Sequence, residues 1–320
     1  MTSMPRPRTI AVVVAYNRRD LLIEVLQALG DQTEAPAAIV VVDNASTDDS
    51  AAVAAAAGPR VELVRLERNT GGAGGFAAGL AHALEHHQPD WLWLMDDDTV
   101  PTPTALERLR ATAESAGASV AGSRVIWTDG TDHPMNTPRR KPFVRRDERE
   151  RAERAGGTAI RSTSFVSMLV SAAAVRRVGL PLADYFIWND DFEYSTRLLR
   201  GERGIFAPES IVVHKTRVLG STDADPGARF YYEVRNKLWM LRRSHSLHRL
   251  EKVLYGASSV RRWIRTAVRS EDRAVLGDAF RRGWRDGWRT DPRPTAVVLD
   301  GLPVSAAVKR ADRDGGEGGR

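Results

Sequence analysis

The first hundred residues alternate apolar, β-rich runs with helix-periodic segments, and this alternation restricts the fold more than any single motif. The runs are "TIAVVVAYN" (9–17), "AAIVVVDNAS" (37–46), "VELVRLERN" (61–69) and "DWLWLMDDD" (90–98). Between them lie "RRDLLIEVLQALGDQ", with Leu22, Val25, Leu26 and Leu29 at helical spacing, the Ala-rich "TDDSAAVAAAAG", and "GGFAAGLAHALEHH". Strands without period-two alternation are covered on both faces. The pattern therefore predicts an α/β fold with a doubly wound, mostly parallel, Rossmann-like sheet. Ligands of such sheets bind outside the carboxyl ends of the strands. Asn17, Asp43, Asn44, Asn69 and the run Asp96, Asp97, Asp98 all fall at those ends, so one sheet edge collects them.

The rest of the chain divides by composition. Its 320 residues suffice for one large domain and an appendage. "STSFVSMLVSAAAVRRVGLP" (162–181), "YFIWNDDFEYSTRLLRGER" (185–203) and "IFAPESIVVHKT" (205–216) are core-like and complete a domain over 1–228. "PRRKPFVRRDERERAERAGG" (138–157) has almost no apolar periodicity and reads as a mobile, charged excursion. Residues 229–308 are helical in pattern, basic and rich in Trp, and 309–320, "KRADRDGGEGGR", has the composition of a disordered tail. From 235 to 293 there are 16 Lys/Arg against 6 Asp/Glu, a net +10 in a chain of formal charge +6. That asymmetry points to an anionic partner for the C-terminal part. The chain has no Cys, which excludes disulfides, thiolate metal sites and a thiol nucleophile. No run approaches ~18 uninterrupted apolar residues, and the start lacks the apolar stretch of a secretory signal, so a cytoplasmic protein is expected.

Three adjacent carboxylates at the mouth of a buried strand repel one another and resist desolvation, so "LMDDDTVP" calls for a cation. Asp96 and Asp98, two apart, share one side of an extended chain. They suit a divalent ion, Mn²⁺ or Mg²⁺, that keeps positions open for phosphates. His214, ending the run "IVVHKT", is a candidate third ligand. The bland alternative is a solvated strand end. "NTGGAGGFAAGL" (69–80) sets bare backbone at Gly71 and Gly72 before a helix, where a diphosphate binds. It lacks the Lys of a Walker loop and follows the third strand rather than the first, which disfavours a dinucleotide fold. Asp43 in "VVVDNASTDDS" is placed to accept from a uracil or thymine ring N–H, with Ser46 or Thr47 as a helix N-cap beside it. In "FIWNDDFEYSTRL", Asp190, Asp191 and Glu193 open a helix. The macrodipole favours acids there, but Asp190 and Asp191 also follow an aromatic run that suits a sugar face.

In order and spacing, "VVVAYNR", "VVDNASTDDS", "RNTGGAGGF", "LMDDDTVP" and "WNDDFEYSTR" resemble the family-2 nucleotide-sugar glycosyltransferases of the GT-A fold, over about three quarters of the chain. "GGAGGF" and "RFYYEVRN" (229–236) look most like the bacterial galactofuranosyl- and rhamnosyltransferases. The resemblance implies a nucleotide-sugar half over 9–100 and an acceptor-side half over 101–228. It implies donor contacts from Tyr16, Asn17, Asp43, Asn69, Gly71, Gly72 and Asp97, and metal ligation by Asp96, Asp98 and His214. Asp191 resembles the catalytic base. Four polar residues crowd the motif here, which leaves Asp190 as the alternative register. Trp188, Arg235 and Asn236 are implied acceptor contacts.

The expected activity is inverting transfer of a sugar, with galactofuranose from UDP-galactofuranose leading and dTDP-rhamnose as the alternative donor. The expected acceptor is a lipid-linked or growing cell-surface glycan. A sugar nucleotidyltransferase would need a basic Gly-rich loop after the first strand, where this chain has "AYNRRD". A non-catalytic sugar-binding protein would not need the full acid set. Trp239, Leu250, Leu254, Trp263, Trp284 and Trp288 lie among clustered Arg, a mix suited to an anionic membrane surface. Peripheral attachment to the inner face of the plasma membrane follows, with packing on the catalytic domain as the alternative. No motif supports a nucleic-acid partner.

Overall fold

The computed structural model describes residues 7–216, 219 and 225–316, with side chains through 312. In chain order the first half runs β1 (Thr9–Ala15), α1 (Arg19–Gly30), β2 (Ala38–Asp43), α2 (Ser50–Ala56), β3 (Val61–Arg65), α3 (Gly71–His87), β4 (Trp91–Asp96), β5 (Thr99–Pro101), α4 (Ala105–Ala116) and β6 (Val120–Ile126). It continues with β7 (Arg139–Arg140), α5 (Arg146–Arg154), β8 (Thr158–Ser162), β9 (Met168–Ser171), α6 (Ala172–Val178), α7 (Asp190–Leu198) and β10 (Gly204–His214). Helices α8 (Phe230–Arg242), α9 (Arg249–Arg269), α10 (Arg273–Arg289), α11 (Thr295–Val298) and α12 (Ser305–Gly316) follow.

One ten-stranded sheet carries the order β3-β2-β1-β4-β9-β6-β10-β8-β7, with β5 paired to β10. The first four strands pair in parallel, and β1 and β2 are buried along their whole length, as continuous apolar runs require. β9 inserts antiparallel to both β4 and β6. It thereby keeps β6 and β10 running with β1–β4, and with β7 seven of the ten strands share a direction, so the mostly parallel expectation holds. Two apolar layers flank the sheet. One gathers Val12, Val14, Leu92 and Leu94 with α3 and α6; the other gathers Ala11, Val13, Trp93 and Met95 with α1 and α4.

Three expectations are corrected. Residues 138–157 are not an excursion, because Arg139–Arg140 pairs with β8 and α5 buries Ala152. The helix is held by ion pairs, Arg146–Glu150 at 2.7 Å and Lys141–Glu148 at 2.8 Å, which apolar periodicity does not register. Neither Ser46 nor Thr47 caps α2, whose N-cap is Asp49. Both are drawn to Asn17 instead: Ser46 Oγ accepts its N–H, and its Oδ1 accepts the Thr47 N–H at 2.7 Å. The expected tail over 309–320 begins inside α12, and only 317–320 lie outside the described residues.

The basic C-terminal part is helical, as expected, and packs on the sheet domain. Leu299, Leu302, Val304, Ala307 and Val308 join the core layer under α3 and α6. Helices α8, α9 and α10 share a smaller cluster of Phe230, Val234, Leu238, Trp263, Leu276 and Ala279. Gly283 and Gly287, four apart on α10, let that helix meet α8 closely, since a Cβ at either would strike Tyr231 or Leu238. Among the described residues no helix is long and apolar enough to cross a membrane.

Candidate active site

Strand β4 ends at Asp96, and the turn to β5 places Asp97 and Asp98. Antiparallel pairing sets His214 opposite Thr99, which brings the last residue of β10 beside these acids. His214 Nε2 lies 3.1 Å from Asp98 Oδ1, and its Nδ1 lies 3.0 Å from Asn136 Oδ1. Asn136 Nδ2 donates to Ser164 Oγ on its other side. His214 thus bridges Asn136 and Asp98, which orients its Nε2 toward the carboxylate oxygens as a ligand nitrogen would be. Ligand atoms of Asp96, Asp98 and His214 all lie within 4.8 Å of one another. This donor set fits a hard divalent ion.

The electrostatics agree. Burial, with Asp98 next, pushes Asp96 up to about 6. Burial pushes Asp97 up to about 8, although the Tyr16 N–H donates to its Oδ2 at 2.8 Å. Burial acts on Asp98 in the same direction, but the His214 hydrogen bond and charge, then Arg18, outweigh it and hold Asp98 below the usual range. The Arg18 guanidinium binds Asp98 and stands 3.9 Å from Asp97. Sequence reasoning missed Arg18; its only signal was its place just past the carboxyl end of the first strand.

On the nucleotide side, Asp43 is fully buried, and its Oδ2 has no hydrogen-bond partner. The nearest cation, Arg65 Nε, is 3.8 Å away and makes an ion pair only. A buried, unpaired carboxylate oxygen at a strand end is costly unless a donor arrives. Tyr16 is exposed above it, and Asn17, at φ 53, ties the β1 turn to the loop before α2. The glycine segment departs from a phosphate cradle. The Gly71 N–H donates to Asn69 Oδ1 at 2.8 Å and the Ala73 N–H to Phe186 O at 3.1 Å, so two of its amides are spent. Gly75 and Gly79 instead press α3 onto Val14, Val12 and Val42 of the sheet.

Gly71 and Gly72 bring α3 against the loop before α7. Gly72 faces Asp190, whose Oδ2 would lie 3.8 Å from a Cβ there. Burial raises Asp190 well above the usual carboxylate range, with Asp191 and then Asp96 adding to it. Burial also raises Asp191, while the Phe192 N–H on its Oδ1 at 2.6 Å and the Arg139 and Lys237 charges pull it back. Glu193 leaves the group: it pairs with Arg197 at 3.0 Å and accepts from Ser244 Oγ at 2.6 Å.

The loop's backbone is unusual. Phe186, Trp188 and Asn189 all have φ near +64°, a region non-glycine residues enter at a cost. Arg235 and Asn236 hold it there. Asn236 Nδ2 donates to the carbonyls of Tyr185, Ile187 and Trp188 at 2.8–2.9 Å, and Arg235 Nη2 donates to those of Asp184 and Tyr185. Both residues are buried and position the loop from beneath. Trp188 remains half-buried at the cleft. Arg139 and Lys237 were also missed. Both cations lie over the Phe192 ring, at 5.2 and 5.1 Å, on a segment read as excursion and a helix read only as basic.

The family model for glycosyl transferase family 2 matches residues 10–177, which include Asp43 and Asp96–Asp98 of the site just described. The chain belongs to glycosyl transferase family 2. This family-2 chain is 32% identical over 248 residues to galactofuranosyltransferase GlfT1 of Mycobacterium tuberculosis, covering 72% of this chain and 81% of the relative. Its fold matches that of S. aureus TarS 1-349 in complex with UDP-GlcNAc, at TM-score 0.59 and 14% identity over 96% of this chain and 89% of that one. It also matches GalNAc-T7 with UDP, GalNAc and Mn²⁺, at TM-score 0.52 and 16% identity over 67% and 44%. The protein is a glycosyltransferase with the GT-A fold.

Proposed function

We propose that this glycosyltransferase moves galactofuranose from UDP-galactofuranose to a hydroxyl of a lipid-linked or growing surface glycan, with inversion and with a divalent metal. The observation that carries the reading is one cleft holding an unpaired Asp43 oxygen, the Asp96–Asp98–His214 donor set and the Asp190–Asp191 pair. The galactofuranose donor rests on the name of the mycobacterial relative. dTDP-rhamnose is the alternative.

In this mechanism Asp43 accepts the base N–H, which orients the nucleotide over β2. Asp96, Asp98 and His214 would hold Mn²⁺ or Mg²⁺, which when bound would supply positive charge for the departing diphosphate. Arg18 adds a second positive group on the same side. Asp191 removes the acceptor hydroxyl proton as that oxygen attacks the anomeric carbon and the bond to the diphosphate oxygen breaks. A single displacement inverts the centre, and no second carboxylate nucleophile is needed.

The same proposal attaches the enzyme to an anionic membrane. Trp239 and Trp263 are buried and contribute packing, not anchorage. The outer face of α9 supports the reading in their place: Leu250, Val253, Leu254, Val260, Ile264 and Val268 are exposed along it. Exposed Arg261 and Arg281, with Trp284 and Trp288, complement an anionic surface.

The test is release of UDP or dTDP from each donor, with Mn²⁺ and after EDTA. UDP release from UDP-galactofuranose that EDTA abolishes is expected. Full turnover in metal-stripped enzyme would sink the metal assignment, and turnover of dTDP-rhamnose alone would transfer the reading to the second donor.

A further inference from the structure

A second cluster of metal-ligating side chains lies away from the cleft, between β3, the outer strand of the sheet, and the C-terminal turns of α3. Glu62 projects from β3, and His82 and His87 from α3. Both imidazoles converge on one carboxylate oxygen. His82 Nε2 is 3.1 Å and His87 Nε2 3.0 Å from Glu62 Oε2, and all three ligand atoms fall within 4.8 Å of one another. In a tetrahedral zinc site with bonds of about 2.0–2.1 Å, neighbouring ligand atoms lie about 3.3 Å apart. The cluster needs only small shifts to reach that geometry.

We propose that Glu62, His82 and His87 form a binding site for Zn²⁺ that fastens the edge strand β3 to helix α3. The chemistry selects the ion class. Two imidazoles and one carboxylate suit a borderline transition metal, whereas Mg²⁺ and Ca²⁺ favour all-oxygen shells. Without metal, each ring donates its Nε2–H to Glu62. For Nε2 to bind the ion, each neutral ring moves its single proton from Nε2 to Nδ1 through solvent. For His87 this displaces one neighbour: Arg8 Nη2, 3.5 Å from Nδ1, must turn away, which its exposed position allows. Half-buried His82 and Glu62 leave the fourth position open to water. His86 stacks on His82 with ring centroids 4.4 Å apart, yet it is not part of the ligand cluster.

This site differs from the cleft in its donors, so the two are separable. The experiment is calorimetric titration of ZnCl₂ into the full chain carrying Asp96→Asn and Asp98→Asn, which silences the cleft. One zinc per chain is expected, undisturbed by excess Mg²⁺. Adding His82→Gln or His87→Gln should weaken it by about 100-fold or more, beyond the loss typical of an outer partner, and His86→Ala should leave it unchanged. Glutamine still donates to Glu62, and circular dichroism checks the fold. On the wild-type chain, the same Gln substitutions should remove one zinc equivalent and abolish a tetrahedral Co²⁺ spectrum. Zinc binding indifferent to His82→Gln and His87→Gln overturns the proposal. Equal weakening by His86→Ala also overturns it, since that marks diffuse chelation by a histidine-rich surface.

Discussion

Gly71 and Phe186 approach so closely that a Cβ on Gly71 would fall on the Phe186 carbonyl oxygen. Gly71 also sits at φ +70°, where side chains are strained. The start of α3 and the loop before α7 are thus one mechanical unit. Gly71→Ala should destabilise the protein by about 1–3 kcal/mol and cut turnover, because the loop carrying Asp190 and Asp191 must move. Urea unfolding and a turnover assay check both. A folded Gly71→Ala enzyme with normal turnover would uncouple the two elements.

Asp191→Asn should lower turnover by ~10²-fold or more, the usual contribution of general base catalysis, with donor affinity little changed. Burial raises the Asp191 carboxyl, and the base acts only when deprotonated, so activity should fall on the acid side at a pH above the ordinary carboxylate range. Lys237→Met removes a cation that opposes the rise and should move this limb further up. If Asp190→Asn is the variant that binds donor and does not turn over, the register belongs to Asp190.

Asp43→Ala should raise the donor KM by roughly 10- to 100-fold, the worth of one hydrogen bond to a charged group. The fold should survive, because among the described residues the only hydrogen bond the Asp43 side chain accepts is a 3.3 Å contact from the Ser46 N–H. Donor titrations decide it. An unchanged KM would mean that Asp43 does not read the base.

Glu193 is nearly fully buried against Arg197. Removing one partner leaves the other charge unpaired, so Glu193→Ala should cost about 3–5 kcal/mol of stability. Glu193→Gln should stay folded and active. A folded, inactive Glu193→Gln enzyme would place this residue in the chemistry.

Leu254→Asp with Ile264→Asp should abolish binding to anionic liposomes while leaving turnover of soluble acceptors intact. Each basic residue adds only about 1 kcal/mol at such a surface, so binding should also fade with salt. Sedimentation across a salt series reads both effects. Equal, negligible binding of the wild type to anionic and neutral liposomes would return α9 to plain surface.

The sheet and its working edge were legible because burial on both faces writes continuous apolar runs, and the polar residues that end them are few. The acids at 96–98 and His214 were found for that reason, although their meeting depends on β5 pairing with β10, which no local pattern encodes. The antiparallel insertion of β9 was not legible: "MLVS" reads the same in either direction. Arg235 and Asn236 were visible as a motif, but not their task, since a buried side chain serving carbonyls looks in sequence like one awaiting a substrate. Trp239 and Trp263 were seen among Arg without the faces being known. Gly283 and Gly287 decide those faces by turning α10 inward and leaving Trp284 and Trp288 outside.

Leu299, Leu302, Val304, Ala307 and Val308 complete a core layer whose other members begin at Ile10. During synthesis the early strands therefore emerge long before their last cover exists. A nascent chain stopped near residue 228 holds every acid of the cleft, yet leaves α3 and α6 bare where these five side chains belong. That core layer is complete only once residues 299–308 have emerged, and the early strands need shelter until then. An excised donor half should accordingly aggregate on the ribosome's timescale.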